Sequence, residues 1–269
     1  MIKEAESINS EEVMREESSH GRVWNSMHGG YFSSVDTAAP FIAKIAKKIN
    51  QSKPDTVVDL GGGTGFILDQ LSKRCNTEKI NLINLDLSPE QLNALLNDQI
   101  IPLKSSIASF KRSDLANAGE EILFISRSTL HYAGKEGLLP LLAHIQREMK
   151  PGECFIHQTA CFAEEKDADL MNLLYQQIGT DKWYPSQKVL QEQLSSSGFE
   201  IVEICTAKPL LLDSESLFTR YNVAVSKLSE IIELLAGMPQ SERNPIFTVT
   251  PNGFNAFLHY KIFKCRAIN

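Results

Sequence analysis

The chain has 269 residues, of which 42% are hydrophobic and 22% are charged, and its formal net charge is −6 at pH 7. This composition is that of an ordinary soluble globular protein. Its acidic balance, with no basic stripe, argues against a nucleic-acid partner, because phosphate contacts supply most of the affinity of nucleic-acid-binding proteins. The five scattered cysteines have neither disulfide-framework nor metal-site spacing. We therefore expect no metal site and reduced thiols.

The first twenty residues, MIKEAESINSEEVMREESSH, are polar and acidic. They lack the apolar stretch of a secretory signal, and no apolar run elsewhere approaches the length that crosses a bilayer. We therefore expect a cytoplasmic protein without a membrane partner. The sequence does not determine the oligomeric state.

Residues 1–53 are predicted to form a helical cap before the core, residues 54–269, because FIAKIAKKI (41–49) has its apolar residues on one helical face. From Thr56 onward, short apolar strand-like runs alternate with amphipathic helical runs. The predicted strands are TVVDL (56–60), INLINLDL (80–87), EILFISRS (121–128), ECFIHQTA (153–160), FEIVEICTA (199–207) and FNAFLHYKIFKC (254–265). The helices between them are FILDQLSKRC, SPEQLNALLND, KEGLLPLLAHIQREMK and SQKVLQEQLSSSGF. This alternation predicts an α/β fold with a doubly wound, mostly parallel sheet. We expect seven strands in that sheet, of which these six are recognisable in the sequence.

A long insertion precedes the last predicted strand. It covers about residues 207–253 and contains a predicted helix at 214–236. A connection of this length inside a compact domain is usually functional. We predict that residues 1–53 and the insertion together form a lid over the site where a second substrate binds.

The run TVVDLGGGTGF (56–66) has an acid near the end of the first predicted strand and four glycines after that strand. In open α/β sheets, ligands bind at the edge formed by the carboxyl ends of the strands, which is where this loop lies. A P-loop is excluded because Phe66 follows Gly65 where that motif requires lysine, and Phe66 also replaces the third glycine of a dinucleotide loop. Asp59, two residues before Gly61, would repel a pyrophosphate and attract a cationic ligand.

S-adenosylmethionine meets these requirements because it carries an ammonium, a sulfonium and a carboxylate but no phosphate. The glycines allow close approach of the backbone, and the start of the following helix favours the ligand's carboxylate. An acid that binds a ribose is expected about twenty residues further on. Asp86 stands there, at the end of the second predicted strand.

The pattern D-x-G-x-G-x-G, present as Asp59, Gly61, Gly63 and Gly65, resembles the class I S-adenosylmethionine-dependent methyltransferases of small-molecule type. The segment SRSTLHYAGKEGLLPLLAHIQREMKPGECFIHQ is similar to their Leu-His, helix, Lys-Pro-Gly, strand pattern. The resemblance covers roughly residues 55–206 and continues into the last strand. It implies a Rossmann-like methyltransferase fold with S-adenosyl-L-methionine as cofactor.

The resemblance also implies individual cofactor contacts. The family's acid after strand two binds the ribose hydroxyls, a role that falls on Asp86, with Leu87 beside the adenine. An acid near the end of strand three often contacts the adenine amine, and FKRSDLAN offers Asp114 and Leu115 for this position. Tyr31 is a candidate to cap the cofactor, as is Trp24, although both also suit plain core packing.

His131 lies where plant-type O-methyltransferases place a catalytic histidine, although this chain reads HYAG there instead of His-Asp-Trp. A general base and a packing residue are both open interpretations of it. The candidate substrate contacts are Arg127, Tyr132, His157 and Trp183. The alternatives are a strand-edge charge for Arg127, a buried polar group for His157 and hydrophobic anchoring for Trp183.

The function expected from these observations is methyl transfer from S-adenosylmethionine to an oxygen or nitrogen of a small-molecule acceptor. An RNA, DNA or protein methyltransferase stays open, although the acidic charge and the lack of an Asn/Asp-Pro-Pro-Tyr element after strand four disfavour a nucleic-acid substrate. A catalytically silent protein that binds the cofactor also stays open.

Overall fold

The structure, a computed structural model, describes residues 30–268. The first part of the predicted N-terminal cap, including Trp24, lies outside the described residues. The cap helix predicted at 41–49 is present within a longer helix, Val35–Ser52.

A single mixed sheet of eight strands forms the centre of the molecule. The strands are β1 (Thr56–Leu60), β2 (Asn81–Asp86), β3 (Ile100–Lys104), β4 (Ile122–Arg127), β5 (Cys154–Ala160), β6 (Phe199–Asp213), β7 (Phe247–Thr250) and β8 (Gly253–Ala267). Seven of them follow the order β3-β2-β1-β4-β5-β8-β6, and β7 pairs with β8 off this path. The pairs from β3 to β5 are parallel, whereas β8 runs antiparallel to both of its neighbours. The predicted mostly parallel α/β sheet is therefore confirmed.

Helices cover both faces of the sheet. They are α1 (Val35–Ser52), α2 (Phe66–Ser72), α3 (Pro89–Asn93), α4 (Gly134–Arg147), α5 (Glu165–Ile178), α6 (Gln187–Ser196), α7 (Ser214–Arg220), α8 (Val225–Gly237) and α9 (Gln240–Arg243). The apolar residues of α1, α2 and α5 join one core cluster, which includes Val57 and Leu123 of the sheet. Those of α4 and α6 join the other, with Val58 and Phe124. Both faces of β1 and β4 are therefore buried, and these strands carry apolar residues in succession instead of an alternation of apolar and polar residues.

The ends of several helices follow from local side-chain chemistry. Ser88 caps α3, since its hydroxyl accepts a hydrogen bond from the N–H of Gln91, and Pro89 occupies the first helical position. Ser34 and Ser186 cap α1 and α6 in the same way.

Strand β3 is an outer strand of the sheet, and the sequence alone does not reveal it. It contains Pro102, which has no N–H for a ladder hydrogen bond and is tolerated only where one side of the strand is unpaired. Pro102 is exposed and Ile101 is half-exposed. This third strand ends at Lys104, six residues before the segment FKRSDLAN (110–117) begins.

The predicted insertion begins as strand rather than loop. Strands β6 and β8 each have 15 residues and pair from Phe199↔Ala267 to Asp213↔Asn255. Because β5 pairs with β8 only as far as Tyr260, the ribbon of β6 and β8 continues beyond β5 for about seven residues, roughly 23 Å. A β-bulge between Ala207 and Leu210 marks where this projection starts.

Within residues 30–268, no helix combines the length and the apolarity needed to cross a bilayer. In the same range, no three His, Cys, Asp or Glu side chains are grouped as metal ligands would be. All five cysteines fall in this range and are free thiols.

Candidate active site

The glycine loop makes a tight turn between β1 and α2. Gly61, Gly63 and Gly65 have φ angles of 72°, 57° and 73°, in the left-handed region that favours glycine. A Cβ atom at Gly62 would lie 2.0 Å from Oδ1 of Asn84, so a side chain there would displace the neighbouring strand. The loop backbone is therefore packed directly against β2 and leaves its outer side to a ligand.

Asp86 holds the loop from the end of β2. Its Oδ2 atom accepts a hydrogen bond from the N–H of Gly63 at 2.8 Å, and its Oδ1 atom accepts one from the N–H of Ser88 at 2.9 Å. Asn84 donates from Nδ2 to the carbonyl of Gly63 at 2.7 Å. A carboxylate oxygen accepts more than one hydrogen bond. Asp86 and the adjacent Leu87 are both partly exposed, so they can contact a ligand.

Asp59 is the most unusual group at this edge. It is 1% exposed, and neither of its carboxylate oxygens has a hydrogen-bond partner among the described residues. The pKa of Asp59 is raised to about 7, chiefly by burial and also by the nearby Asp86 carboxylate, while the Arg127 guanidinium opposes the rise. A buried carboxylate of this kind requires a donor or a cation to complete it.

Arg127, at the end of β4, connects the sheet to the N-terminal segment. Its Nη1 atom donates to the carbonyl of Phe32 at 2.9 Å and its Nη2 atom to that of Tyr31 at 3.4 Å. The guanidinium carbon also lies 5.5 Å and 5.4 Å from the centres of the Tyr31 and Phe32 rings. These contacts anchor Arg127 to residues 31–32, and a substrate contact by Arg127 stays a prediction.

Tyr31 is buried over the carboxyl ends of the central strands. Its ring stacks on Tyr260 with centroids 5.7 Å apart, and its hydroxyl donates to the carbonyl of Lys208 at the bulge of β6. Gln158 donates to the same hydroxyl at 3.4 Å. Burial raises the pKa of Tyr31 to about 12, so the phenol is neutral at physiological pH. The residue packs in the core at this edge, and cofactor capping stays a prediction.

The turn after β4 lies against the glycine loop. A Cβ atom at Gly61 would be 2.5 Å from Cγ2 of Thr129. Ser128 has a φ of 62°, a strained conformation for a residue with a side chain. Its hydroxyl forms a 2.7 Å hydrogen bond with the hydroxyl of Tyr260, and its N–H donates to the carbonyl of Gln158. The turn is thus fixed on both sides.

His131 lies in the short 3₁₀ helix Leu130–Ala133 and is buried. Its ring stacks on Tyr184 at 5.2 Å between centroids and contacts the ring of Tyr132 at 4.2 Å. Its carbonyl accepts a hydrogen bond from the N–H of Trp183. The structure therefore brings three predicted residues, His131, Tyr132 and Trp183, to one place beside the glycine loop. A general-base role for His131 stays a prediction.

His157 lies in the core and does not line this edge. It is 0% exposed, and its ring is stacked on Phe263 with an interplanar angle of 4°. Its Nδ1 atom and the hydroxyl of Thr159 are 2.6 Å apart. Burial lowers the pKa of His157 to about 3, so it is neutral. These contacts are those of the buried polar interpretation, and a substrate contact at His157 finds no support in its position.

Asp114 is at the opposite edge of the sheet from the glycine loop, so its predicted adenine contact requires correction. The preceding Arg112 forms a bidentate ion pair with Glu153, whose carboxylate also accepts from the N–H of Ile122, the first residue of β4. Asp114 is exposed there, and Leu115 packs in the core. The misplacement follows from the undetected β3, which ends before this segment begins.

Two further residues, not predicted from the sequence, lie beside Asp86 and the glycine loop. Ser105 follows β3, and its N–H donates to the carbonyl of Asp86 at 3.1 Å. Asn84 is fully buried and supports the loop. A signal for Asn84 was present, because an amide between the apolar residues of LINL needs a hydrogen-bond partner when the strand is buried.

Comparison with known proteins gives matches at the level of structure. No protein-family model and no curated protein sequence matches the chain. The YcgJ protein of Bacillus subtilis superposes with a TM-score of 0.65 at 14% identity, over 86% of this chain and 99% of that one.

Two further structures match with TM-scores of 0.52. One is the 1,6-didemethyltoxoflavin-N1-methyltransferase of Burkholderia thailandensis, solved with 1,6-didemethyltoxoflavin and S-adenosylhomocysteine. It is 14% identical over 100% of this chain and 91% of that one. The other is the geranyl diphosphate C-methyltransferase of Streptomyces coelicolor, 13% identical over 93% of this chain and 88% of that one. The chain therefore has the Rossmann-like fold of the class I S-adenosylmethionine-dependent methyltransferases.

Proposed function

We propose that this protein transfers a methyl group from S-adenosylmethionine to an oxygen or nitrogen atom of a small-molecule acceptor. The observation that carries the proposal is Asp59, a buried carboxylate without a hydrogen-bond partner among residues 30–268, next to a glycine loop in a methyltransferase fold. A ligand with a cationic group satisfies this carboxylate, and the ammonium of the cofactor is such a group.

The other residues at this edge fit the remaining parts of the cofactor. The backbone of Gly61, Gly63 and Gly65 accommodates the methionine portion, and the start of α2 favours its carboxylate. Asp86 accepts hydrogen bonds from the ribose hydroxyls. Leu87 is assigned to the adenine.

The solved structures support both the cofactor and the size of the acceptor. The two enzymes described above were solved with S-adenosylhomocysteine and with small molecules, geranyl diphosphate in one and 1,6-didemethyltoxoflavin in the other. One of them methylates nitrogen and the other carbon. Our choice of oxygen or nitrogen for this chain therefore depends on its own residues.

The cofactor supplies an electrophilic methyl group on a sulfonium. The protein's contribution is then to hold the acceptor atom in line with that group, and correct positioning lowers such barriers by roughly 7–11 kcal/mol. A hydroxyl acceptor must also lose a proton. We assign its removal to His131, which follows β4 beside the glycine loop, and general-base help is worth about 10²–10⁴-fold.

The segments outside the shared core are assigned to the acceptor. Arg127 fastens residues 31–32 to the end of β4, and the hydroxyl of Tyr31 bonds the carbonyl of Lys208, where the projecting part of β6 begins. Residues 31–32 and the start of the insertion 207–253 therefore meet at the carboxyl end of β4. We propose that they form a lid over the acceptor in a cytoplasmic enzyme.

Cofactor binding tests the proposal. Calorimetry should show S-adenosylmethionine binding to the wild-type protein. Asp86→Ala should weaken it by roughly 1.5–3 kcal/mol, the range for hydrogen bonds to a charged group. Asp114→Ala is the matched control, because it removes an exposed carboxylate at the far edge and should leave affinity unchanged.

Unchanged affinity in a folded Asp86→Ala protein would reject the ribose assignment. Incubation with methyl-labelled cofactor and a panel of hydroxyl and amine acceptors tests the chemistry. Binding without any transfer of label would favour a catalytically silent cofactor-binding protein.

A further inference from the structure

Asp59 and Asn84 lie side by side on neighbouring strands. In the parallel pairing of β1 with β2, Asp59 stands opposite Asn84. A Cβ atom added to Gly62 would lie 2.0 Å from Oδ1 of Asn84 and 2.8 Å from Cγ of Asp59. Both side chains are buried, Asp59 at 1% exposure and Asn84 at 0%. The carboxyl group and the amide oxygen therefore share one small space beneath the backbone of Gly62.

This space contains hydrogen-bond acceptors that receive no donor from residues 30–268. Neither carboxylate oxygen of Asp59 has a partner in that range, and Oδ1 of Asn84 has none either. The amide of Asn84 cannot be turned round to supply a donor. Its Nδ2 atom already donates to the carbonyl of Gly63 at 2.7 Å, and a flip would bring Oδ1 against that carbonyl oxygen. Buried acceptors without a donor are costly, so a donor is needed here.

Two charged groups act on Asp59 in opposite directions. The Asp86 carboxylate at the end of β2 disfavours a second negative charge, whereas the Arg127 guanidinium at the end of β4 favours it. Both Nη atoms of Arg127 donate to the carbonyls of residues 31 and 32 instead of to Asp59. Tyr31, which stands over Arg127, is neutral at physiological pH. Burial and Asp86 outweigh Arg127, so the pKa of Asp59 is raised to about 7.

We propose that Asp59 of the cofactor-free protein holds a proton and donates it to Oδ1 of Asn84, and that the ammonium of the cofactor replaces this proton when it binds. This inference rests on the proposed function and adds the release of a proton to it. The O–H of a neutral carboxyl group is the donor that the space beneath Gly62 lacks. When the ammonium arrives, the proton leaves to solvent, so one positive charge takes the place of another beside Asp59.

Proton release makes the affinity for the cofactor depend on pH. Below pH 7 the ligand must displace a proton from Asp59, so its affinity falls as the pH falls. Above pH 7 the carboxylate is already ionised, and the affinity no longer changes through this group. Between pH 7.5 and pH 5.5, we expect the dissociation constant to rise about tenfold or more, because a group with a pKa of about 7 is mostly protonated at the lower pH.

The experiment counts the protons released when S-adenosylhomocysteine, which carries the same ammonium, binds to the full chain. Calorimetry in buffers of different ionisation enthalpy gives this number. We expect about 0.5 protons per ligand at pH 7 and about 0.9 at pH 6 from Asp59. Asp59→Asn has no such proton and should lose this release. Asp114→Asn, which removes an exposed carboxylate far from the glycine loop, should keep it. The ligand's own ammonium titrates equally in all three titrations, so the difference isolates Asp59.

Two further measurements test the pairing with Asn84. Asn84→Ala removes an acceptor that only the neutral carboxyl group uses, so the release from Asp59 at pH 7 should fall to less than half of the wild-type value. If this variant does not fold, or if Asp59→Asn binds too weakly for calorimetry, infrared spectra give the answer without ligand. The spectrum of wild type minus that of Asp59→Asn should contain the carbonyl band of a hydrogen-bonded, protonated carboxyl group at pH 6, and this band should disappear at pH 9.

Equal proton release by wild type and Asp59→Asn would overturn the inference, as would the absence of the carboxyl band at pH 6. Full release in a folded Asn84→Ala protein would overturn the pairing with Asn84. The two proposals fail in different ways. A wild-type protein that does not bind S-adenosylhomocysteine at any pH contradicts the proposed function, whereas one that binds it without releasing a proton contradicts only this inference.

Discussion

Replacing Asp59 by asparagine should make the cofactor-free protein more stable and the binding of the cofactor weaker. The pKa of Asp59 rises from 3.8 to about 7 on folding, mainly because the carboxylate is buried. Each pKa unit corresponds to about 1.4 kcal/mol, so keeping this group ionised in the folded state costs about 4 kcal/mol above pH 7. Asparagine has nearly the same shape and carries no charge.

The pH dependence gives this prediction its sign. A carboxyl group whose pKa is raised by folding binds more protons in the folded state, so the wild type loses stability as pH rises from about 4 to 7. The stability gain from Asp59→Asn should therefore approach its full value at pH 8 and be less than half as large at pH 5. For a chain of this size, 4 kcal/mol corresponds to roughly 10 °C in melting temperature.

Thermal unfolding of both proteins at pH 5 and pH 8, without cofactor, measures the effect. Taking the difference between the two proteins isolates Asp59 from other titrating groups. Asp114→Asn is the matched control and should leave the melting temperature unchanged at both pH values, since Asp114 is exposed. A folded Asp59→Asn protein no more stable than wild type at pH 8 would refute the burial argument, as would a difference that does not depend on pH.

Three further predictions concern the glycine loop, the turn after β4 and the insertion 207–253. In Gly62→Ala, the added Cβ atom would lie 2.0 Å from Asn84, so we expect the free energy of unfolding to fall by about 1–3 kcal/mol. Denaturant titration measures this loss. A loss well below 1 kcal/mol would show that the loop is not tightly packed on β2. For His131→Ala, a general base predicts about 10²–10⁴-fold slower turnover with little change in cofactor affinity; lower melting temperature with unchanged activity per folded molecule would identify a packing residue. Limited proteolysis should cut residues 207–253 more slowly when cofactor is bound, and identical cleavage would contradict a lid.

Much of the fold could be predicted because its signals are local. The strand TVVDL, with its acid Asp59, and the glycines that follow it define β1 and its loop within eleven residues. Asp86 lies at the end of the next apolar run. The helix cap at Ser88 depends on a serine and a proline that are adjacent in sequence. Such features need no knowledge of distant contacts.

The parts that escaped prediction depend on position in the sheet. Pro102 conceals β3 because proline opposes a strand everywhere except at an unpaired edge, and only the strand order shows that β3 is outermost. Asp114 was consequently placed at the wrong end of the sheet. The hydrogen bond between Lys182 and Tyr221 joins residues 39 positions apart in the sequence, and the residues around each of them do not predict it.

The part of the β6 and β8 ribbon that projects beyond β5 can change in sequence independently of the glycine loop. The strands that carry the cofactor loop, β1 and β2, make no pairing with it, since β8 pairs with β5, β6 and β7. Substitutions and insertions beyond the bulge at Ala207 can therefore reshape the surface that we assign to the acceptor, while the glycine loop keeps its geometry. Residues in the projection should vary among relatives that use different acceptors, and the residues around Asp59 should not.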